Sequence, residues 1–487
     1  MDSPMRNQLF RILITSAAAA ALAGCMVGPN YHRPSLPLAP AFKEPGWTTA
    51  QPADLSPRGD WWTVFNDPVL NTLESKVAIS NQNVAAAEAA YRQAEALVRE
   101  QRAGLFPTVS LDGGATRSGG GRGSSGTVVT TGGTTTVVGG GGGGAVNSYR
   151  VSASASWAPD IWGRIRRGTE GARGAAQASE ADLAAAKLSA QGSLATDYFE
   201  LRESDIEIAL LTQAVDGYQK SLTITQNRFN AGIAPHSDVL QAQSLLASTQ
   251  GDLADLSRTR AIFEHAIAVL TGEAPETFAV TADPNWKPLI PGVPAAVPST
   301  LLQRRPDVAG AERRAASASA QIGVQIAGYF PDLTLSGNYG FASSELGRLF
   351  SASNSSWSIG ASVAQTLFDG GLTRARVSAA RAAYDQAVAT YRQTVLAALQ
   401  DVEDQLAASR VYAQEYVYRD EAARDADLAA TMVLNQYKEG QVAYTNVVTA
   451  QVSALNARRT LVQQAATRQS TEVALIQGLG GGWTAPF

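Results

Sequence analysis

From Leu372 to Glu439 the chain runs 68 residues without a glycine or a proline. Ala, Gln, Leu, Val and Arg dominate this stretch, and most of them are good helix formers. Gly371 and Gly440 bracket it. Val388, Val395 and Val402 recur at every seventh position, and Leu399 and Leu406 keep the same step. Read as one helix at about 1.5 Å per residue, the stretch is a rod of roughly 100 Å. No compact core spans that length, so the rod must pack along other helices, as in a coiled coil or a helical cylinder. Arg164 to Ala231 is a second stretch of 68 residues, free of proline although not of glycine.

Charge and motifs exclude several functions. The net charge is −4 and no basic cluster stands out, which argues against nucleic acid as a partner. His32, His236 and His265 have no acidic or histidine neighbour at ligand spacing, so no metal site is expected. No glycine-rich phosphate loop follows a strand, and no nucleophile motif is present. The sequence carries no sign of an enzyme and implies no cofactor.

The N-terminus has a recognisable form. Arg6 and Arg11 precede a short apolar and small-residue run, Ile12 to Ala23, which is too short to span a bilayer and fits a secretory signal. Leu22-Ala23-Gly24-Cys25 ends it and resembles the bacterial lipoprotein box, which would leave Cys25, the only cysteine, as the lipid-bearing first residue. The alternative is a free thiol beside an ordinary cleavage site. Met26 follows, so an aspartate signal for inner-membrane retention is missing and delivery to the outer membrane is expected. Pro29, Pro34, Pro37, Pro40, Pro45, Pro52 and Pro57 then forbid helix and predict an extended strap over 25–59. Asp67-Pro68 reads as an N-cap and first-turn pair for a helix running to about Ala103, with a break around Asn81 to Asn83.

Four segments alternate with a period of two: about 107–117, 148–158, 331–342 and 356–368. Val109, Leu111, Val151, Ala153, Leu335, Tyr339, Trp357 and Ile359 share the apolar phase; Ser110, Asp112, Ser152, Ser154, Ser336, Asn338 and Ser358 share the polar one. Each segment has about the 9–11 residues that a tilted membrane strand needs. Trp157, Tyr339, Phe341 and Trp357 fall near strand ends, where interfacial aromatics belong. Two soluble hairpins are the alternative, but isolated two-stranded hairpins are marginal. Ser118 to Asn147, nearly all Gly, Thr, Ser and Val, is expected to be a mobile loop; without a Walker lysine it does not read as a nucleotide loop.

The chain is internally duplicated. Leu105-Phe106-Pro107 aligns with Tyr329-Phe330-Pro331 at an offset of 224, and Gly232, Val239, Ala242 and Gln243 align with Gly440, Val447, Ala450 and Gln451 at an offset of 208. The expected division is a signal segment 1–24, a strap 25–59, a first repeat 60–273, a proline-rich linker 274–298, a second repeat 299–480 and a tail 481–487. Phe229 to Leu240 and Tyr437 to Val448 each close a rod with a helical hairpin, with Gly at the helix C-terminus and Asp238 or Asn446 near the next N-terminus. Either turn alone would be ordinary. Both lie at the far end of a rod from the strands, which suggests a shared role.

These motifs resemble one family, the TolC-like outer-membrane factors of efflux pumps, and within it the NodT-type lipoproteins that serve RND pumps. The resemblance is carried by Leu22-Ala23-Gly24-Cys25 with Gly28-Pro29-Asn30-Tyr31, and by Asp60-Trp61-Trp62 with Phe65 and Asp67-Pro68. Arg304-Arg305-Pro306-Asp307-Val308 with Ala311-Glu312 and Phe330-Pro331, the hairpin Tyr437 to Gln451 and the ending Leu475 to Trp483 complete it. It implies a mainly α fold with membrane β: long coiled helices forming a periplasmic α-barrel, and four transmembrane strands per chain closing in a trimer as a twelve-stranded β-barrel. Physics alone requires that chains combine, since four strands cannot close on a usable lumen, but leaves two or three copies open; the resemblance implies three.

The resemblance also implies a passive export duct for drugs or other small molecules. A periplasmic adaptor would connect it to an inner-membrane RND transporter, and its lipid anchor would sit in the outer membrane. A type I protein-secretion duct has the same fold, and a structural coiled-coil lipoprotein is the alternative of a different class, against which the alternating strands speak. By resemblance Gly232, Asp238 and Gly440 lie in the adaptor-contacting turns, and Tyr437 and Tyr444 hold the closed periplasmic gate. Where relatives often place gate aspartates, this chain has Asn446 and Thr449, which implies a weaker cation preference. The alternative is that both are ordinary helix-surface residues.

Overall fold

Both proline-free stretches fold as single helices. The computed structural model describes residues 26–36, 42–44, 60–119, 145–292 and 305–481, and the backbone of 128–131 and 134–137. The signal segment 1–24, Cys25, Pro37, Pro40, Pro45, Pro52, Pro57, Pro294, Pro298, Arg304 and the tail from 482 onwards lie outside them.

In chain order the helices are α1 (Pro68–Ser80), α2 (Gln82–Ala103), α3 (Arg164–Asn230), α4 (His236–Leu270), α5 (Pro306–Ala327), α6 (Leu372–Lys438) and α7 (Tyr444–Gly478). The strands are β1 (Thr108–Ser118), β2 (Val128–Thr131), β3 (Thr134–Val137), β4 (Val146–Trp157), β5 (Asp332–Ser343) and β6 (Ser355–Ala364). Both α3 and α6 have 67 residues, and both α4 and α7 have 35.

Caps set the boundaries. The Asp67 carboxylate accepts from the amides of Val69 and Leu70, with Pro68 at the first helical position, as the sequence predicts. The expected break falls at Asn81: its backbone is extended, and its Oδ1 accepts from the amides of Asn83 and Val84 to open α2. Two expectations need correction. The strand expected to reach 368 ends at Ala364, because Asp369 gathers the amides of Gly371 and Thr373 and the Thr373 hydroxyl into the cap of α6. The segment expected to be a mobile loop contains an antiparallel hairpin, β2 with β3. Its Val and Thr runs are β-branched and favour strand, a preference masked by the glycines around them.

The chain divides into two compact units. The helical unit comprises Arg33–Glu95, Gly174–Ala315 and Asp385–Phe487. Its largest apolar cluster buries Trp61, Trp62 and Phe65 of a 3-10 turn and Leu70, Leu73 and Val77 of α1. These pack with Tyr198 and Phe199 of α3 and Ile476 of α7. Asp67 ties this cluster together by accepting from the Tyr198 hydroxyl at 2.7 Å and the Trp286 indole at 2.9 Å. A second cluster is the buried seam of α6. Val395, Val402 and Leu406, three members of the seven-residue pattern, pack on Val308 and Ala311 of α5 and on Phe42 of the strap. Arg305 joins three helices: it pairs with Asp307 at 2.7 Å and Asp401 at 3.2 Å and donates to the Gly478 carbonyl at 3.3 Å.

The second unit comprises Met1–His32, Ala96–Arg173 and Ala316–Tyr384, and so holds the sheet. Its four antiparallel strands follow the order β1-β4-β5-β6. Among the described residues, no helix is long and apolar enough to cross a membrane.

Candidate functional site

Two places can carry function, one in each unit. The first is the sheet. Its register aligns the apolar phase of every strand. Leu111 pairs with Ala153, Ala153 with Tyr339, and Tyr339 with Trp357. The neighbouring row pairs Ser110 with Ser154, Ser154 with Asn338, and Asn338 with Ser358. One face is therefore apolar and the other is lined by hydroxyl and amide groups, because strand side chains alternate. Most of the apolar face is exposed: Leu111 is 77% exposed, Trp357 74% and Ile359 83%, while Phe350 packs on Phe341 with ring centroids 5.4 Å apart. The polar face bonds to itself, as in the 2.7 Å contact of the Ser110 and Ser154 hydroxyls. Within this sheet β1 and β6 each pair on one side only, so two rows of backbone donors and acceptors stay open.

The second place is the pair of hairpin turns, α3 to α4 and α6 to α7, both in the helical unit. Each turn has the same Schellman closure. Gly232 donates to Phe229 and Ile233 to Arg228; Gly440 donates to Tyr437 and Gln441 to Gln436. Gly232 has φ +71° and Gly440 has φ +78°, a left-handed conformation that a Cβ disfavours. The next helices begin at caps Pro235 and Ala443 without a side-chain cap bond. Asp238 and Asn446 stand in the first turns three residues further on, near the helix N-termini as expected, and their backbone amides donate to the Pro235 and Ala443 carbonyls.

Tyr437 and Tyr444 come together across the second turn, with ring centroids 5.2 Å apart. Both are buried with Ala242 and Val447, so a contact between α4 and α7 closes over them. Burial pushes the Tyr444 hydroxyl up to about 12, although a hydrogen bond to Thr225 opposes this. The Tyr437 hydroxyl has no hydrogen-bond partner among the described residues. Arg228 of the first turn lies over the Tyr437 ring at 4.8 Å and donates to the Lys438 carbonyl at 3.1 Å, which ties one hairpin to the other. Asn446 and Thr449 are not part of this cluster. Both are exposed on one face of α7, and the Thr449 hydroxyl bonds back to the Thr445 carbonyl at 2.9 Å. Asp238 is half-buried, and Gly232 and Gly440 are exposed. Cys25 lies outside the described residues.

The family profile described as outer membrane efflux protein matches residues 73–273 and 297–481. The chain belongs to that family. The solvent efflux pump outer membrane protein SrpC of Pseudomonas putida is 28% identical over 473 residues, covering 95% of this chain and 96% of its own. The cation efflux system protein CusC of Escherichia coli O6:H1 is 26% identical over 474 residues, covering 97% and 98%. Among solved structures, the outer-membrane channel OprN matches with a TM-score of 0.83 at 29% identity, covering 94% of this chain and 100% of its own. The open state of the Neisseria gonorrhoeae MtrE outer membrane channel matches with a TM-score of 0.82 at 25% identity, covering 95% and 99%. The chain is an outer-membrane efflux channel, mainly helical with a small antiparallel sheet.

Sequence reasoning missed Arg228 in this efflux channel. At the offset of 208 its counterpart is Gln436, so the duplication gives no hint that Arg228 bridges the hairpins. Thr225 likewise shows no signal until α3 and α7 are packed.

Proposed function

We propose that the chain is a lipid-anchored homotrimeric duct that passes small molecules from a periplasmic adaptor and an inner-membrane RND transporter to the cell exterior. The observation that carries this reading is the sheet: apolar on one face, hydroxyl-rich on the other, and open at both edges. An apolar face suits lipid, a polar face suits a water-filled lumen, and open edges require pairing with further copies. Three copies give twelve strands and a bore, whereas two give a lumen filled by side chains. The helices, arranged as two repeats, would form the periplasmic part of the duct, and the equal lengths of α3 and α6 and of α4 and α7 support the repeat.

In this reading the hairpin pair is the gate. Tyr437 and Tyr444 hold the α6–α7 hairpin, and the exposed turns at Gly232 and Gly440, with Asp238 nearby, meet the adaptor. Asn446 and Thr449, repeated three-fold, would line the constriction with neutral groups. The relatives are named for solvents and for cations; a neutral ring favours uncharged or mixed cargo over a cation duct.

Planar-bilayer conductance of the purified full chain tests the reading. Discrete conductance steps with weak cation preference are expected, and Asn446→Asp should raise that preference. Absence of steps would overturn the duct. Strong cation selectivity with block by trivalent cations, unchanged in Asn446→Ala and Thr449→Ala, would overturn the neutral gate.

A further inference from the structure

The residues that follow Cys25 are gripped by a buried arginine. Arg167, in the first turn of α3, is 1% exposed. Its Nε donates to the Val27 carbonyl at 3.2 Å, and its Nη2 donates to the Gly28 carbonyl at 3.2 Å and to Asn30 Oδ1 at 2.9 Å. Glu170 balances the charge, accepting from Nη1 at 2.7 Å. The Val27 amide donates to the Trp162 carbonyl at 3.1 Å. Gly28 also rests on Gly323 of α5, which itself adjoins the Arg167 stem: a Cβ on Gly28 would stand 2.5 Å from the Gly323 Cα, and one on Gly323 2.9 Å from the Arg167 Cγ. A Cβ on Gly323 would stand 2.9 Å from the Val27 carbonyl oxygen. Segment 26–30 thus lies in a slot between α3 and α5 that only glycines allow to close, and all of it belongs to the sheet unit.

The slot has a definite place on the sheet. Trp162 donates to the Pro331 carbonyl at 2.8 Å and stacks on Phe330 at 4.7 Å, immediately before β5. The register puts the start of β1, the end of β4, the start of β5 and the end of β6 at this same end. Phe106, Trp157, Tyr329, Leu367 and Phe368 are exposed there. They form the kind of rim that lies at a bilayer interface.

We propose that Arg167, with the Gly28–Gly323 contact, is a positioning clasp that holds segment 26–30 so that a lipid carried by Cys25 enters the bilayer beside this rim. The proposal rests on the lipoprotein reading of Cys25. Cys25 precedes Met26 by one peptide step, about 3.8 Å. A lipid on a loose tether would only keep the chain near a membrane; a lipid on a clasped segment shares the depth and orientation of the sheet. The planar guanidinium suits this task, since one side chain reaches three fixed acceptors. A lysine offers a single point of charge and cannot span them.

The test uses the full-length protein with His32→Cys carrying a nitroxide, Cys25 being blocked by its lipid. Mobility and membrane depth of the label are read by electron paramagnetic resonance, chymotryptic cleavage after Tyr31 by mass spectrometry, and lipidation by palmitate incorporation. With the clasp intact, the label is ordered at one depth. Arg167→Ala, Arg167→Lys and Gly323→Ala should each release it, spread its depth and speed cleavage about tenfold or more. Palmitate incorporation should be unchanged, and Arg164→Ala, an exposed charge in the same turn, should change nothing. A label that stays ordered in both Arg167→Ala and Gly323→Ala overturns the clasp. If Arg167→Ala does not assemble, Gly323→Ala, which keeps every charge, decides alone. If wild type takes up no palmitate, the lipoprotein reading fails, while cleavage after Tyr31 in the unlabelled protein, compared between wild type and Gly323→Ala, still reports whether the clasp exists.

Discussion

Glu74 lies in the middle of the buried stripe of α1, between Leu70, Leu73 and Val77, and is 0% exposed. Neither carboxyl oxygen has a hydrogen-bond partner among the described residues. Burial pushes its pKa up to about 9, so at neutral pH it is a protonated acid inside an apolar stripe. The folded state therefore holds this proton more tightly than the unfolded chain does. The stability Glu74 contributes is complete below about 4.5 and declines as pH rises towards about 9. The slope for one such proton is about 1.4 kcal/mol per pH unit. Glu203 is pushed up to about 9 in the same way, by burial and by the neighbouring Glu200, so wild type has more than one source of pH dependence. Glu74→Gln keeps the shape of the neutral acid and removes its titration. Thermal unfolding at pH 5 and pH 8 should show a smaller loss across that interval in the variant than in wild type. It should also show a higher melting temperature for the variant at pH 8. Equal losses in both proteins would contradict a buried neutral Glu74.

Among the elements, the strands make the sharpest statement. Val151 and Leu335 belong to the apolar row, and Ser152 and Ser336 to the polar one. Arginine at Val151 or Leu335 should block assembly, since a charge at mid-depth on a lipid face costs about 2–4 kcal/mol. Arginine at Ser152 or Ser336 should be tolerated. The comparison is read as assembled protein in outer-membrane fractions, and equal damage from both sets would contradict the two-faced sheet. This alternation was legible in the sequence because a period of two and a glycine-free rod are local signals. So were the Asp67 cap and the break at Asn81, each written in two or three neighbouring residues. The contacts that join elements were not. Arg167 reads as one basic residue in the run Arg164-Ile165-Arg166-Arg167, and nothing nearby tells that it turns inward to meet Val27, more than a hundred residues earlier. Tyr437 and Tyr444 were singled out by resemblance; their burial against Ala242 depends on a packing that no local pattern encodes. The β2–β3 hairpin was missed for the opposite reason: the composition of the whole segment hid two short β-branched runs.

For the whole molecule, the sheet has an apolar face, a polar face and two edge strands, and among the described residues neither β1 nor β6 has a strand partner on its outer side. In the proposed duct, several copies close a barrel in which β1 of one chain pairs with β6 of the next. An edge-strand disulfide is the most direct measurement of that claim. Cys25 is the only cysteine, so a cysteine at Ser110 on β1 combined in turn with one at Ser356, Ser358 or Ser362 on β6 gives a clean readout in intact outer membranes. At least one of these pairings should form a disulfide between chains under mild oxidation, with a ladder on denaturing gels that stops at three chains. A ladder that stops at two, a disulfide within a single chain, or no disulfide at any register from Ser110 would contradict the account.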